Sequence, residues 1–287
     1  MMLKDCSDPV GRWFDPATSE EISHAKLLKR LASQQVVLLG ENHDQADMHL
    51  WQLHVAAGLL AHRPDLVMGF EMFPVRVHPV LDAWVSGVLT ENQFLEEVNW
   101  KTIWEFPAEL YLPLFQFCRQ FRIPMKALNC RRSLVSEVGK QGWDAVPEKD
   151  RDGLTPAKPA SNAYRQYLFK STGGVMGHLK ASSHDDPFFD RFVRAQQTWD
   201  RAFACNIQAA LEQPDAPLVI GIIGRGHLEY GYGTPYQLDD LGIEEVKVLF
   251  PCTAAELRDA CEQSNAVADA LFCLDNSHYN ESDQFRY

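Results

Sequence analysis

Five short apolar runs, rich in β-branched residues, constrain this chain more than any other feature: QVVLLG at 35–40, LVMGFE at 66–71, IPMKAL at 123–128, LVIGII at 218–223 and VKVLF at 246–250. Runs of this kind offer no polar face to water, so both of their faces must be covered. That is the pattern of strands inside a parallel sheet with helices on two sides. The intervening stretches supply the helices. His49-Leu50, Leu53, Ala56-Ala57 and Leu59-Leu60 recur at helical spacing and stop before Pro64. Residues 107–121 read as a crossover helix whose first half Pro113 should perturb, and 188–211 as a long helix leading into the fourth run. The expected fold is therefore α/β, a mostly parallel central sheet flanked by helices, with its core drawn from 35–74, 107–130 and 188–274. Residues 1–34 read as a lead-in and first helix. Residues 75–106, carrying Trp84, Phe94, Trp100 and Trp104, and residues 131–187 are too long for simple connections. They are expected to be insertions that build a smaller helical cap, and the polar end, 275–287, a loose tail.

Composition narrows the function classes. With 46% hydrophobic and 23% charged residues the chain has the make-up of an ordinary globular protein. Its formal charge of −12 repels polyanions, so no nucleic-acid partner is expected. Lys4, Asp5 and Asp8 interrupt any apolar run in MMLKDCSDPVGRW, which leaves no signal peptide and no transmembrane segment there. Only five residues precede Cys6, too few for a lipoprotein leader. The seven cysteines are odd in number, widely spaced and without a CxxC pair. This argues against a disulfide framework or a zinc ribbon and for a reducing compartment, so a cytoplasmic location is expected.

The polar residues fall where chemistry would need them. The first four apolar runs end in them: Gly40-Glu41-Asn42-His43-Asp44, then Glu71, then Asn129, then Gly224-Arg225-Gly226-His227. Ligands of parallel sheets bind outside the carboxyl ends of the strands, so four segments are set to converge on one site. Glu41 and His43, two apart, share a side if the strand continues through them. His49 lies near the start of the following helix, where it can fold back. Carboxylates and imidazoles in this combination suit general acid–base catalysis by Glu41, His43, Glu71 and His227. They equally suit a divalent metal held by His43, His49, Glu71 and His227. The alternative is that Asn42, Asp44 and Asp47 merely cap the helix while the histidines satisfy backbone groups. The GxG of Gly224–Gly226 lacks the third glycine of a dinucleotide fingerprint, and P-loop, GxSxG and HExxH motifs are absent from the sequence.

Taken in order, GENHDQADMHLWQLH (40–54), FEMFP (70–74), Trp199-Asp200 and GRGHLEYGYGTP (224–235), with GRWFDP at 11–16 as lead-in, resemble the ChaN family of haem-binding proteins over roughly 10–250. The resemblance implies a large α/β domain with a smaller helical one, and a homodimer that holds haems close together. It also implies a tyrosine ligand to each iron, which places Tyr230 first and Tyr232 second, with Arg225 beside them as a cofactor-binding residue. The aromatic insertion would then wall the haem, with at least half of Trp84, Phe94, Trp100 and Trp104 expected to be ordinary core instead. Relatives are often exported lipoproteins, and the want of an export signal here shifts the expectation to intracellular haem handling. More distantly, the same blocks resemble erythromycin esterase and metal-dependent peptidases. That implies a hydrolase in which Glu41 is the base, His43 and His227 are metal ligands or proton carriers, and Glu71 is a second acid or ligand.

Overall fold

Burial alternates along the central strands. Val37, Leu39, Met68, Phe70, Ile220 and Ile222 enter one hydrophobic cluster, whereas Val36, Leu38, Val67, Val219 and Ile223 enter another. A sheet two-sided in this way needs a layer on each face, and the computed structural model, which describes residues 8–176, 179–213 and 216–275, has both. Cys6 and residues 276–287 lie outside the described residues.

The strands are β1 (Trp13–Asp15), β2 (Glu20–Ile22), β3 (Val36–Glu41), β4 (Leu66–Pro74), β5 (Met125–Asn129), β6 (Val175–Met176), β7 (Leu179–Lys180), β8 (Leu218–Gly224), β9 (Val246–Cys252) and β10 (Ala270–Cys273). The helices are α1 (His24–Leu31), α2 (Ala46–His62), α3 (His78–Val85), α4 (Glu91–Glu97), α5 (Trp100–Ile103), α6 (Leu112–Phe121), α7 (Arg132–Gln141), α8 (Asn162–Thr172), α9 (Asp190–Leu211), α10 (Thr234–Asp240) and α11 (Ala254–Glu262). The main sheet has eight strands in the order β2-β1-β10-β9-β3-β8-β4-β5, with β6 and β7 forming a separate hairpin. From β10 to β5 every neighbouring pair is parallel, and only the β1 edge runs antiparallel. The five apolar runs are five of these parallel strands. No helix among the described residues is long and apolar enough to cross a membrane.

The two insertions differ in how they pack. Trp84, Phe94 and Trp100 of 75–106 are buried in the same cluster as the sheet. The indole N–H of Trp84 donates to the Phe115 carbonyl of α6 at 2.9 Å, which fastens the insertion to the crossover helix. Residues 131–187, by contrast, bury two small clusters of their own against α9, one around Leu134, Val135 and Val138 and one around Tyr164, Leu168 and Phe189. Pro113 does not perturb the crossover helix, because α6 starts at Leu112 and leaves the proline in the first turn, where its missing N–H costs nothing.

The order of strands positions the site. β8 comes late in the chain yet inserts between β3 and β4, so that Glu41 and Gly224 are register partners. β4 also carries a bulge: Phe70 pairs with Ala127, but Pro74 already pairs with Asn129. Bulges re-aim side chains at strand ends; here the irregular stretch contains Glu71.

Candidate functional site

At the carboxyl ends of β3, β4 and β8, Glu41 and Glu71 are 1% and 2% exposed. Two buried carboxylates side by side require a counter-charge, and His43 supplies it. Its Nδ1 lies 2.7 Å from Glu41 Oε1 and 3.3 Å from Glu71 Oε1. Burial by itself would push the imidazole pKa down, but the Glu41 and Glu71 charges, the Glu41 hydrogen bond and Asp44 outweigh it and raise it to about 9. Burial raises the Glu71 pKa and Glu41 adds to the rise, while His43, His227 and the Gly224 N–H only partly oppose them. The His43 ring packs against Trp104 at 4.8 Å and Phe106 at 5.0 Å. It also fills the space a side chain at 224 would take, since a Cβ on Gly224 would meet His43 Cε1 at 2.8 Å.

The cluster is not self-sufficient. The His43 N–H is used on Glu41, so Glu71 Oε1 is left without a hydrogen bond. Glu41 Oε2 and Asn129 Oδ1 are likewise buried without a hydrogen bond. Tyr111 reaches Glu41 Oε1 only at 3.4 Å, and burial with the two carboxylates drives its phenol pKa well up. Glu41, His43 and Glu71 can each offer a ligand atom, all within 4.8 Å of one another, a donor set fitting a divalent cation.

His227 forms a second unit on the same side of the sheet. Its Nδ1 is 2.8 Å from Asp200 Oδ1, and Asp200 Oδ2 accepts from the Tyr164 hydroxyl at 2.7 Å. The imidazole pKa is raised: burial opposes protonation, but the Asp200 charge and hydrogen bond and the Glu71 charge overcome it. Gly233 is needed here, because a Cβ would stand 2.7 Å from Asp200 Oδ1 and 2.4 Å from the His227 carbonyl. Asp200 stands in the sequence as part of the Trp199-Asp200 block with no role attached, and Tyr164 carries no such signal; within α9, Asp200 is buried with Val193, Phe203, Ala204 and Ile207.

Two expected residues have other work. His49 is not placed as a metal ligand: Nδ1 lies 3.1 Å from Gln52 Oε1 and Nε2 lies 3.2 Å from the His43 carbonyl, so both nitrogens are engaged in bracing the 41–46 loop. The helix-capping half of the alternative is not seen, since α2 begins after Gln45 with no side-chain cap, while its other half holds for His49, which satisfies the His43 carbonyl. Arg225 is held by Glu229 at 2.6 Å and Glu256 at 3.4 Å, over the Phe250 ring, and so braces its loop.

Beyond that loop lies an aromatic face. Tyr230 stacks on Tyr232 at 5.4 Å, and Tyr167 meets the two rings at 5.9 and 6.1 Å. Tyr230 has φ +57°, a left-handed conformation costly for a bulky side chain. Its hydroxyl donates to Gln263 Oε1 at 2.7 Å. Burial, then Glu229 and Tyr232, raise its phenol pKa. Of the four rings offered as a haem wall, at least half of them expected to be core, Trp84, Phe94 and Trp100 are core, and Trp104 belongs to the crevice.

The family model described as haem-binding uptake, Tiki superfamily, ChaN matches residues 27–238. Among solved structures, the ChaN protein of Campylobacter jejuni, described with cofacial haem, superposes with a TM-score of 0.66 at 18% identity over 91% of this chain and 95% of that one. The erythromycin esterase EreC superposes with a TM-score of 0.50 at 11% identity over 83% and 76% of the respective chains. These likenesses show a shared fold. No curated protein matches the chain by sequence.

Proposed function

The chain belongs to the ChaN family of haem-binding uptake proteins, and from that premise we propose that it binds haem on the tyrosine face, with the Tyr230 phenolate as iron ligand. The observation that carries the assignment is the left-handed backbone of Tyr230, held between two other tyrosine rings, Tyr167 and Tyr232. Strain of this kind persists where the surroundings fix it, and functional sites are where it clusters. The residues fit the group: stacked phenol rings offer a flat aromatic wall, and a phenolate oxygen suits ferric iron. Tyr232, on the same face, is the alternative ligand.

Hemin titration of the purified chain tests the reading. A saturable spectrum with a phenolate-to-iron charge-transfer band is expected, and Tyr230→Phe should remove the band. A complex unchanged in the Tyr230→Phe, Tyr232→Phe double variant refutes the assignment. Because the Tyr230 phenol pKa is raised, ligation must expel a proton from a group that holds it firmly. Hemin affinity should therefore rise with pH through the neutral range in the native chain and not in Tyr230→Phe. Cofacial haem in the Campylobacter protein supports a two-fold partner that completes the face, so sedimentation velocity should show hemin-dependent dimers.

The crevice supports a second reading, hydrolysis at a divalent metal, because Glu41 Oε2 and Glu71 Oε1 are buried without partners. In that reading Glu41, His43 and Glu71 hold the ion and His227, set by Asp200, carries the proton. Mn²⁺, Co²⁺ or Zn²⁺ should raise the melting temperature of the native chain and not of Glu71→Ala. No shift with any of the three removes this reading and leaves haem binding untouched.

A further inference from the structure

Each margin of the main sheet is tied to a short helix by one histidine. At one margin the indole N–H of Trp13 in β1 donates to His24 Nδ1 at 2.9 Å. At the other, the backbone N–H of Ala127 in β5, the outermost strand, donates to His78 Nε2 at 2.9 Å. Both donor residues are buried, Trp13 at 1% and Ala127 at 0% exposure. The two histidines also occupy the same place in their helices: His24 is the first residue of α1 and His78 the first of α3, each helix eight residues long.

The donors fix the state of the rings. An indole N–H and a backbone N–H can only donate, so the imidazole nitrogen facing each must carry a lone pair. His24 is therefore neutral with its proton on Nε2, and His78 neutral with its proton on Nδ1. A second proton would land on the accepting nitrogen, set two N–H groups against each other and leave a buried donor unpaired. The surroundings oppose that proton. The start of a helix is the positive end of its dipole, which disfavours a cation on the first residue. Burial, and then His54 of α2, whose ring lies 5.0 Å from that of His24, lowers the His24 pKa. Burial, and then Lys126 of β5, lowers the His78 pKa, with Asp82 one turn along α3 opposing them. The crevice histidines are set the other way: although burial opposes it, carboxylates at 2.7 and 2.8 Å raise the pKa of His43 and His227.

We propose that His24 and His78 are acid-operated latches: protonation of His24 frees the β1–β2 margin and protonation of His78 frees β5, while the centre of the sheet stays closed. Because both folded pKa values lie below 6.5, the latches are complete above pH 6.5 and are lost as the pH falls through the folded values. The second latch reaches the crevice. Asn129, two residues beyond Ala127 on β5, donates its amide to the Glu71 carbonyl at 2.7 Å within the bulged stretch of β4. A loosened β5 therefore withdraws support from the strand end that carries Glu71. Neither latch depends on what the tyrosine face or the crevice binds.

Hydrogen exchange of the full chain, followed by mass spectrometry from above pH 6.5 to about pH 5 and corrected for the intrinsic effect of pH on exchange, tests the proposal. Segments 12–22 and 125–129 should lose protection about tenfold, the equivalent of one hydrogen bond, while 219–223 in β8 keeps its own. His24→Asn and His78→Gln each place an amide oxygen where the accepting nitrogen stands, with no proton to gain. Each should abolish the acid response of its own margin and leave that of the other. A response that persists in either variant overturns the latch at that margin, and a loss shared by 219–223 overturns both. NMR of the nitrogen-labelled native chain gives a check that needs no variant. Above pH 6.5, His24 Nδ1 and His78 Nε2 should be the unprotonated ring nitrogens, and a proton on either overturns its latch.

Discussion

The strand-end crevice and the tyrosine face are joined through the single stretch 224–232, yet they are built in opposite ways. The crevice takes charged groups from two strands and a loop: the buried carboxylates Glu41 and Glu71 are held by His43, and loss of the imidazole leaves both without a counter-charge away from water. The tyrosine face takes its groups from one turn and one helix, leaves them half-exposed, and stores its cost in a backbone angle. The comparison teaches where stability and function are coupled. Crevice residues should be inseparable from the fold, while the tyrosines should be separable from it.

The sharpest way to break that contrast is His43→Ala. It leaves Glu41 and Glu71 facing each other without a cation, and should cost about 3–5 kcal/mol in urea unfolding. Glu71→Gln, which replaces the carboxyl whose burial already disfavours charge, should cost less than about half of that. Comparable losses from the two would show that the imidazole is not the keystone.

The pH profile gives the next effect. The His43 pKa is about 9 in the folded chain against 6.5 without its partners. A folded value above the unfolded one means that the folded state holds the proton more tightly. The contribution is therefore complete below pH 6.5 and disappears as the pH rises through about 9. Glu71, also raised, acts in the same direction. Unfolding free energy should fall across this window in the native chain and stay flatter in His43→Ala.

A smaller loss, about 1–3 kcal/mol, is expected for Gly224→Ala, because the added methyl group overlaps the His43 ring at 2.8 Å and must displace it. If a divalent ion stabilises the native chain, this variant should lose that stabilisation too. The smallest effect sharpens the other side. Tyr230→Phe gives up one half-exposed hydrogen bond to Gln263 and should change stability by about 1 kcal/mol or less while abolishing the charge-transfer band. A large stability loss there would erase the distinction between the two regions.

Much of this could be read from the chain, for identifiable reasons. The five parallel strands declare themselves because burial on both faces demands an unbroken apolar run, and Glu41, His43, Glu71 and Gly224 were legible as residues that follow such runs. β1, β2 and β10 were not: three or four residues at a sheet edge carry too short a pattern, and β2 is not buried. His49 was misplaced because its sequence distance from His43 is compatible with ligation, and only the helix start after Gln45 aims the ring back at the backbone. Asp200 is legible only as part of the Trp199-Asp200 block and its role is not, because packing of α9 across β8 is what brings it to His227. Which rings of the aromatic insertion are core is not legible from their spacing; the indole N–H groups of Trp84 and Trp100 decide it by bonding inward to the Phe115 and Phe106 carbonyls.

The position of β8 between β3 and β4 has a consequence for biosynthesis. During translation β3 and β4 emerge early, and their inner edges have no partner until Leu218–Gly224 leaves the ribosome. At ordinary elongation rates that interval is on the order of ten seconds. Throughout it, two very apolar strands present open edges and Glu41 has no Gly224 beside it. The nascent chain must wait in a state poorer than the finished fold, exposed to self-association. Truncation before β8 should leave an insoluble product, and chaperone dependence should end once residue 224 has been made.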